Sequence, residues 1–322
     1  MQTSRMGAPE RVTYDDWICV RAGRKFHFEN VSPSSIRLQD IATALARIAR
    51  YGGHGERKYT VGEHSLRVHD AILAHIIETT CEKDILGQRL TQYQIQTCLH
   101  NALLKAASTL YFALMHDAVE AYIGDKVAPL KQYMGDFKAK ENQIEAVAAK
   151  ELKYDGDNNI DHALVKQFDL RMLRTEKLQL LPWYPEDAWR NDHLDIVESQ
   201  WRFEPEKKPF RAYRATRTET EDKVRTYFYE RARAYQEFMT TLYIRKHHFD
   251  AYDDVMAVSL RQLIASLYSA PVRRYLRGVL RRHGVSDKIG VHFPVPVVPF
   301  WQRIKRSWGF YPYTVMAWGS NL

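Results

Sequence analysis

Two histidines and two aspartates in this 322-residue chain stand where polar side chains are out of place. His116 and Asp117 lie side by side in Tyr111-Phe-Ala-Leu-Met-His-Asp-Ala-Val-Glu120, an otherwise apolar run in which Leu110, Leu114, Asp117 and Ala121 share one helical face. Asp169 interrupts a second apolar stripe, Leu164-Val-Lys-Gln-Phe-Asp-Leu170, and His64 sits in a third segment, Tyr59-Thr-Val-Gly-Glu-His-Ser65. An unpaired buried carboxylate is costly, so a cation or a metal ion is expected beside each aspartate. The imidazoles of His64 and His116 and the carboxylates of Asp117 and Asp169 make a nitrogen and oxygen donor set. It suits a borderline divalent ion (zinc, manganese, cobalt, nickel or iron) better than calcium. With four protein donors, a six-coordinate ion keeps positions for water and a substrate oxygen. Taken singly, His64 reads as a capping or surface residue and Asp169 as a partner of Arg171 or Arg174. Only the four together point to a metal.

These residues must be held by helices. Period-3.6 patterning dominates, as in Leu38–Arg50, where Leu38, Ile41, Leu45 and Ile48 fall on one face. Further helices are expected at 61–79, 91–122, 138–152, 160–181, 217–243 and 256–283, with stops at Gly52-Gly53, Gly124, the 155–159 turn and Pro182. Trp17–Val20 and Lys25–Phe28 around Gly23 read as a short hairpin, and 183–215 as an irregular connection. The class is therefore all-α, with that one small exception.

An apolar content of 45% supports a real core, and no apolar run reaches the ~18 residues of a membrane span. The first ten residues lack the composition of a signal or transit peptide, so a cytoplasmic, soluble protein is expected. Cys19, Cys81 and Cys98 form no C-x-x-C pair and read as small hydrophobes. The net charge of +8 is a local property. From Arg245 onward the chain carries 12 Lys/Arg and 4 Asp, leaving 35 residues of each sign before it. The expected division is thus 1–245 for the main domain and 246–322 for a basic, aromatic appendix. Within the appendix, Pro271–His283 sets Val272, Tyr275, Leu276, Val279 and Leu280 opposite five arginines, and Val291–Trp301 is extended and Pro-interrupted. Such a region fits a packing helix with a docking arm, or contact with nucleic acid, an acidic protein or an anionic membrane surface.

The blocks Val61-Gly-Glu-His-Ser-Leu66, His116-Asp-Ala-Val-Glu120, Gly124-Asp125, Pro129-Leu-Lys131 and Leu164-Val-Lys-Gln-Phe-Asp169 together resemble the HD-domain phosphohydrolase superfamily, whose pattern is H…HD…D on an all-α scaffold. The resemblance spans about residues 14–182 and extends to the helix at 223–238. It is closest to the nucleotide-specific branch, which contains bacterial 5′-deoxynucleotidases and small phage triphosphohydrolases acting on dATP. Asp40-Ile-Ala and Arg50-Tyr-Gly-Gly-His54, preceded by Trp17 and Gly23-Arg24, are more similar to the latter. The resemblance implies an HD-domain helical bundle, a small nucleotide substrate, and a homo-oligomer. It also implies an adenine pocket near the N-terminal segment, with Trp17 and Ile18 as candidates to stack on the base or to be plain hairpin core. Arg50 and Lys131 are the cations it assigns to phosphate oxygens, since phosphoryl transfer depends on positioning and charge neutralisation.

Glu120 lies three and four residues beyond Asp117 and His116, on their helical face, and is the expected general acid/base. Asp125 is expected to assist it or to bind a second ion such as magnesium or cobalt; its plainer reading is a cap or a solvated carboxylate. Two departures stand out. His64 and His116 are 52 positions apart, with Cys81–Leu103 as an apparent insertion expected to sit away from the metal, and the region after 245 matches no part of the pattern. Alarmone hydrolases carry Glu-Asp where this chain has Glu120 and Ala121, and Gly309-Phe-Tyr-Pro312 differs from the Gly-Tyr-Pro of the cyclic-dinucleotide branch. Sequence leaves open whether a deoxynucleoside triphosphate or monophosphate is the substrate.

Overall fold

A computed structural model describes residues 15–85, 88, 92–155, 157, 159–181 and 220–247. Within them the chain is mainly helical. The expected hairpin is present: β1 (Trp17–Cys19) pairs antiparallel with β2 (Lys25–His27), Ile18 opposite Phe26. The helices are α1 (Leu38–Leu45), α2 (Val61–Thr80), α3 (Gln92–Lys105), α4 (Ala107–Met115), α5 (Glu120–Ile123), α6 (Ala128–Lys131), α7 (Phe137–Leu152), α8 (His162–Leu180) and α9 (Glu221–His247). None of them is long and apolar enough to cross a membrane.

The central element is α2. Thr60 caps it, its hydroxyl accepting the Glu63 amide, and nearly every residue from Val61 to Ala74 is buried against α4, α8, α3 and α9. Gly62 has a packing reason: a Cβ there would meet Val224 at 3.0 Å and the Leu45 carbonyl at 3.2 Å, where α1, α2 and α9 converge. α9 presents Val224, Phe228, Ala232, Tyr235 and Phe238 to the core at helical spacing. A polar clamp fixes its register. Arg231 donates to Asp70 at 2.5 Å, and the His69 ring lies between Asp70 (3.0 Å) and the Tyr235 hydroxyl (3.0 Å). Burial and Arg231 both push the His69 imidazole towards its neutral form; the same Arg231, against the effect of burial, holds Asp70 ionised.

The single helix expected over 91–122 is in fact three pieces. The chain bends at Ala106 (φ −95°, ψ 0°) and again after Met115. The second bend has a local cause: His116 Nδ1 donates to the Ala113 carbonyl at 2.8 Å, and tight turns follow, Ala118 to Met115 and Glu120 to Asp117. His116 and Asp117 therefore sit at a helix end, not within a regular face. Cys81, where the apparent insertion begins, lies 17 residues beyond His64 along α2 and its continuation, roughly 25 Å at helical rise. Cys81 is buried and Cys98 half-buried, but Cys19 is exposed on the hairpin. The expected helix at 256–283, the connection at 183–215 and the basic aromatic appendix lie outside the described residues.

Candidate metal centre

Four segments deliver the site. His64 comes from the first turn of α2, His116 and Asp117 from the break after α4, Asp169 from the middle of α8, and Arg50 from the loop before α2. His64 is fully buried, and its Nε2 lies 3.2 Å from Asp169 Oδ1 and 3.8 Å from Asp117 Oδ2. His116 Nε2 lies 3.4 Å from Asp117 Oδ2 and 4.0 Å from Asp169 Oδ1. The donor atoms of His64, His116 and Asp117 all fall within 4.8 Å of one another. Two ligands bound at 2.0–2.2 Å to one zinc-like ion are up to about 4.4 Å apart, so the group needs only a small adjustment to share one.

The two imidazoles are also prepared for this. His116 Nδ1 is held by the Ala113 carbonyl, and His64 Nδ1 by Glu176 Oε1 at 2.7 Å. With Nδ1 as donor in each ring, Nε2 is the nitrogen left for a metal ion, which would take the place of a proton there. Both Nε2 atoms are buried and, despite their short distances to the carboxylates, neither has hydrogen-bond geometry to any group. Buried polar atoms left in that condition are uncommon. Two of them facing two carboxylates fit a divalent cation of the nitrogen- and oxygen-preferring kind. The buried His64–His116–Asp117 group could thus hold a metal ion.

Charge around the centre is tightly coupled. Burial and Arg50 oppose a proton on His64, but Glu176 and Asp169 prevail and carry it up to about 9. Burial alone would raise the Glu176 carboxyl; His64 and Arg50 instead bring it down to about 2. The same competition, won by His64 and His116, holds Asp169 well below the carboxylate range. Glu120 goes the other way: burial, then the nearby Asp117 and Asp125, push it up to about 9.

These shifts set how the metal-free protein responds to pH. His64 and Glu120 hold protons in the folded chain that the unfolded chain has lost, so their contributions are complete below about 6.5 and 4.5 and vanish as pH rises through 9. The lowered carboxyls of Glu176 and Asp169 contribute above their unfolded values, and that part is lost as pH falls towards 2. In chelator, the urea midpoint is expected to fall steadily from pH 5 to pH 9 and to fall again below about pH 4. A midpoint rising from pH 5 to 9 would contradict this charge arrangement.

Glu120 is 7% exposed with its Oε2 unbonded, and Asp125, at the turn after α5, is raised first by burial and then by Asp117. Lys131 pairs with Glu141 at 3.0 Å and feels Glu120 and Asp117, so it borders the same group. Arg50 Nη1 donates to Asp117 Oδ2 at 3.3 Å, and its Nε lies 3.4 Å from Glu176 Oε2. Trp17 and Ile18 are placed differently: the hydrogen bond and ring contact of Trp17 run to Asp15 and Lys25, within the hairpin, and Ile18 packs on the main core. Sequence reasoning missed Glu176. Its signal was present, because it lies two helical turns beyond Asp169 and so on the same face of α8.

Fold and site define a mainly helical protein with a buried His/His/Asp group suited to a metal ion. No family model matches the chain. It belongs to the same family as the uncharacterized protein YfdR of Escherichia coli (strain K12), with 30% identity over 159 residues that cover 49% of this chain and 69% of that protein. It is also similar to the uncharacterized protein RCAP_rcc00048 of Rhodobacter capsulatus, with 28% identity over 121 residues; these cover 37% of this chain and 48%, about half, of that relative.

Proposed function

We propose that the chain is an HD-type, metal-dependent phosphohydrolase acting on deoxynucleotides, with a deoxynucleoside triphosphate such as dATP as substrate. The observation that carries the reading is the pair of unbonded Nε2 atoms of His64 and His116 facing Asp117 Oδ2 and Asp169 Oδ1. Asp169 is then the fourth ligand. A divalent ion held there supplies Lewis-acid charge to a phosphoryl oxygen and lowers the pKa of a water.

The remaining roles fall to side chains around it. Arg50, charged because Glu176, Tyr51 and Asp117 outweigh its burial, offers a guanidinium to phosphate oxygens beside the metal group. Lys131 adds a second cation on the side of Glu120 and Asp125. Glu120, whose carboxyl is raised by burial and by the neighbouring Asp117 and Asp125, acts as general acid/base, with Asp125 beside it. The domain doing this work is 1–245, and 246–322 is a basic appendix for contacts with protein or nucleic acid.

The experiment is a nucleotide panel assayed across zinc, manganese, cobalt, nickel and iron, with products separated. For dATP, deoxyadenosine and tripolyphosphate are expected. Release of orthophosphate from dAMP without turnover of dATP would replace this reading by a 5′-deoxynucleotidase, and no hydrolysis of any deoxynucleotide with any of these ions would refute it.

A further inference from the structure

We infer that Glu176 is a positioning residue that orients the imidazole of His64 towards the metal and ties it to the cation Arg50, an inference that rests on the metal-centre reading above. Glu176 is fully buried and every side of its carboxylate is engaged. Oε1 accepts from His64 Nδ1 at 2.7 Å and from the Tyr59 hydroxyl at 2.5 Å; Oε2 accepts from the Tyr51 hydroxyl at 2.8 Å and lies 3.4 Å from Arg50 Nε. As a purely structural device this would be a poor choice, since a buried charged cluster is often matched or bettered in stability by apolar side chains of similar volume.

What the carboxylate does provide is direction. It holds a proton of His64 on Nδ1, leaves Nε2 as the nitrogen that faces Asp117 and Asp169, and strengthens that nitrogen as a ligand. The backbone adds to these contacts. Tyr51 adopts a left-handed backbone (φ 58°), rare for a residue with a side chain, and Gly52 (φ 60°) and Gly53 (φ 81°) continue the turn. That strained turn places the Tyr51 hydroxyl on Glu176, and the loop is pinned to the end of α8 by Glu56 N donating to the Leu180 carbonyl at 3.0 Å. The loop bearing Arg50, Tyr51 and Tyr59 is thereby gathered on one acid that also backs His64.

The test is the affinity of the full chain for Co²⁺ or Zn²⁺, measured by chelator competition, for wild type, Glu176→Gln and Glu176→Asp, with circular dichroism of each metal-free protein. Gln removes the charge, and Asp withdraws it by one methylene. Either folded variant is expected to bind about 10- to 100-fold more weakly, the range for partners behind a metal-bound histidine. A folded variant binding within twofold of wild type overturns the inference while leaving the metal centre standing. Wild-type protein that binds neither ion removes the metal reading and this inference with it. If neither variant folds, nitrogen NMR of zinc-loaded wild type decides: a protonated Nδ1 on His64 supports the orientation, and a protonated Nε2 refutes it.

Discussion

Asp117→Ala should leave a folded protein that no longer retains a divalent ion and hydrolyses dATP at least a thousandfold more slowly, a loss of about 4 kcal/mol in transition-state stabilisation. Asp117 Oδ2 is the atom on which the centre converges, 3.3 Å from Arg50 Nη1, 3.4 Å from His116 Nε2 and 3.8 Å from His64 Nε2. Removing it takes away a proposed ligand and also leaves Arg50 Nη1 without the carboxylate it donates to. If Asp117 served only as the ion-pair partner of Arg50, the variant would lose stability and keep its chemistry. Metal analysis of the purified variant, beside product separation from dATP, tells these apart: full activity in Asp117→Ala is incompatible with the proposed function. His116→Ala is expected to behave in the same way.

Glu120→Ala separates chemistry from metal binding. The side chain is buried, its Oε2 is unbonded, and its carboxyl is raised to about 9 by burial and by Asp117 and Asp125. A carboxyl raised in this way is suited to holding a proton for transfer during phosphate hydrolysis. Its removal should slow turnover by about 100- to 10,000-fold with metal content unchanged. The loss belongs in kcat, because Glu120 is not assigned to substrate binding. A variant that sheds its metal together with its activity would instead make Glu120 part of the ion's own surroundings.

Much of the centre is legible in the sequence because polar residues within apolar runs are conspicuous. His116, Asp117 and Asp169 interrupt apolar runs, and their side chains do meet in the core. The extent of α2 was equally visible, the helix expected at 61–79 running from Val61 to Thr80. What sequence hid was geometry made by bonds rather than by pattern. The helix expected through 91–122 ends at Met115 because a histidine side chain takes the Ala113 carbonyl, which no propensity encodes. Glu176 was hidden by company: flanked by Arg174, Thr175 and Lys177, it reads as one more solvated charge, and its distance of seven from Asp169 was the sole hint. Trp17 is a candidate by resemblance to a family, and its ring sits beneath the Lys25 ammonium.

The place of α9 in the chain has a consequence for synthesis. A protein emerges from the ribosome N-terminal end first, and its early part must wait for late contacts. Here α2 is made early, yet Asp70 and His69 find Arg231 and Tyr235 only after some 160 further residues have been added. Until then a nascent chain carries a helix whose acidic and imidazole groups lack their lasting neighbours. The half of the molecule that carries His64, His116 and Asp117 is thus complete in sequence well before it is sealed, and the last described helix acts as the bolt.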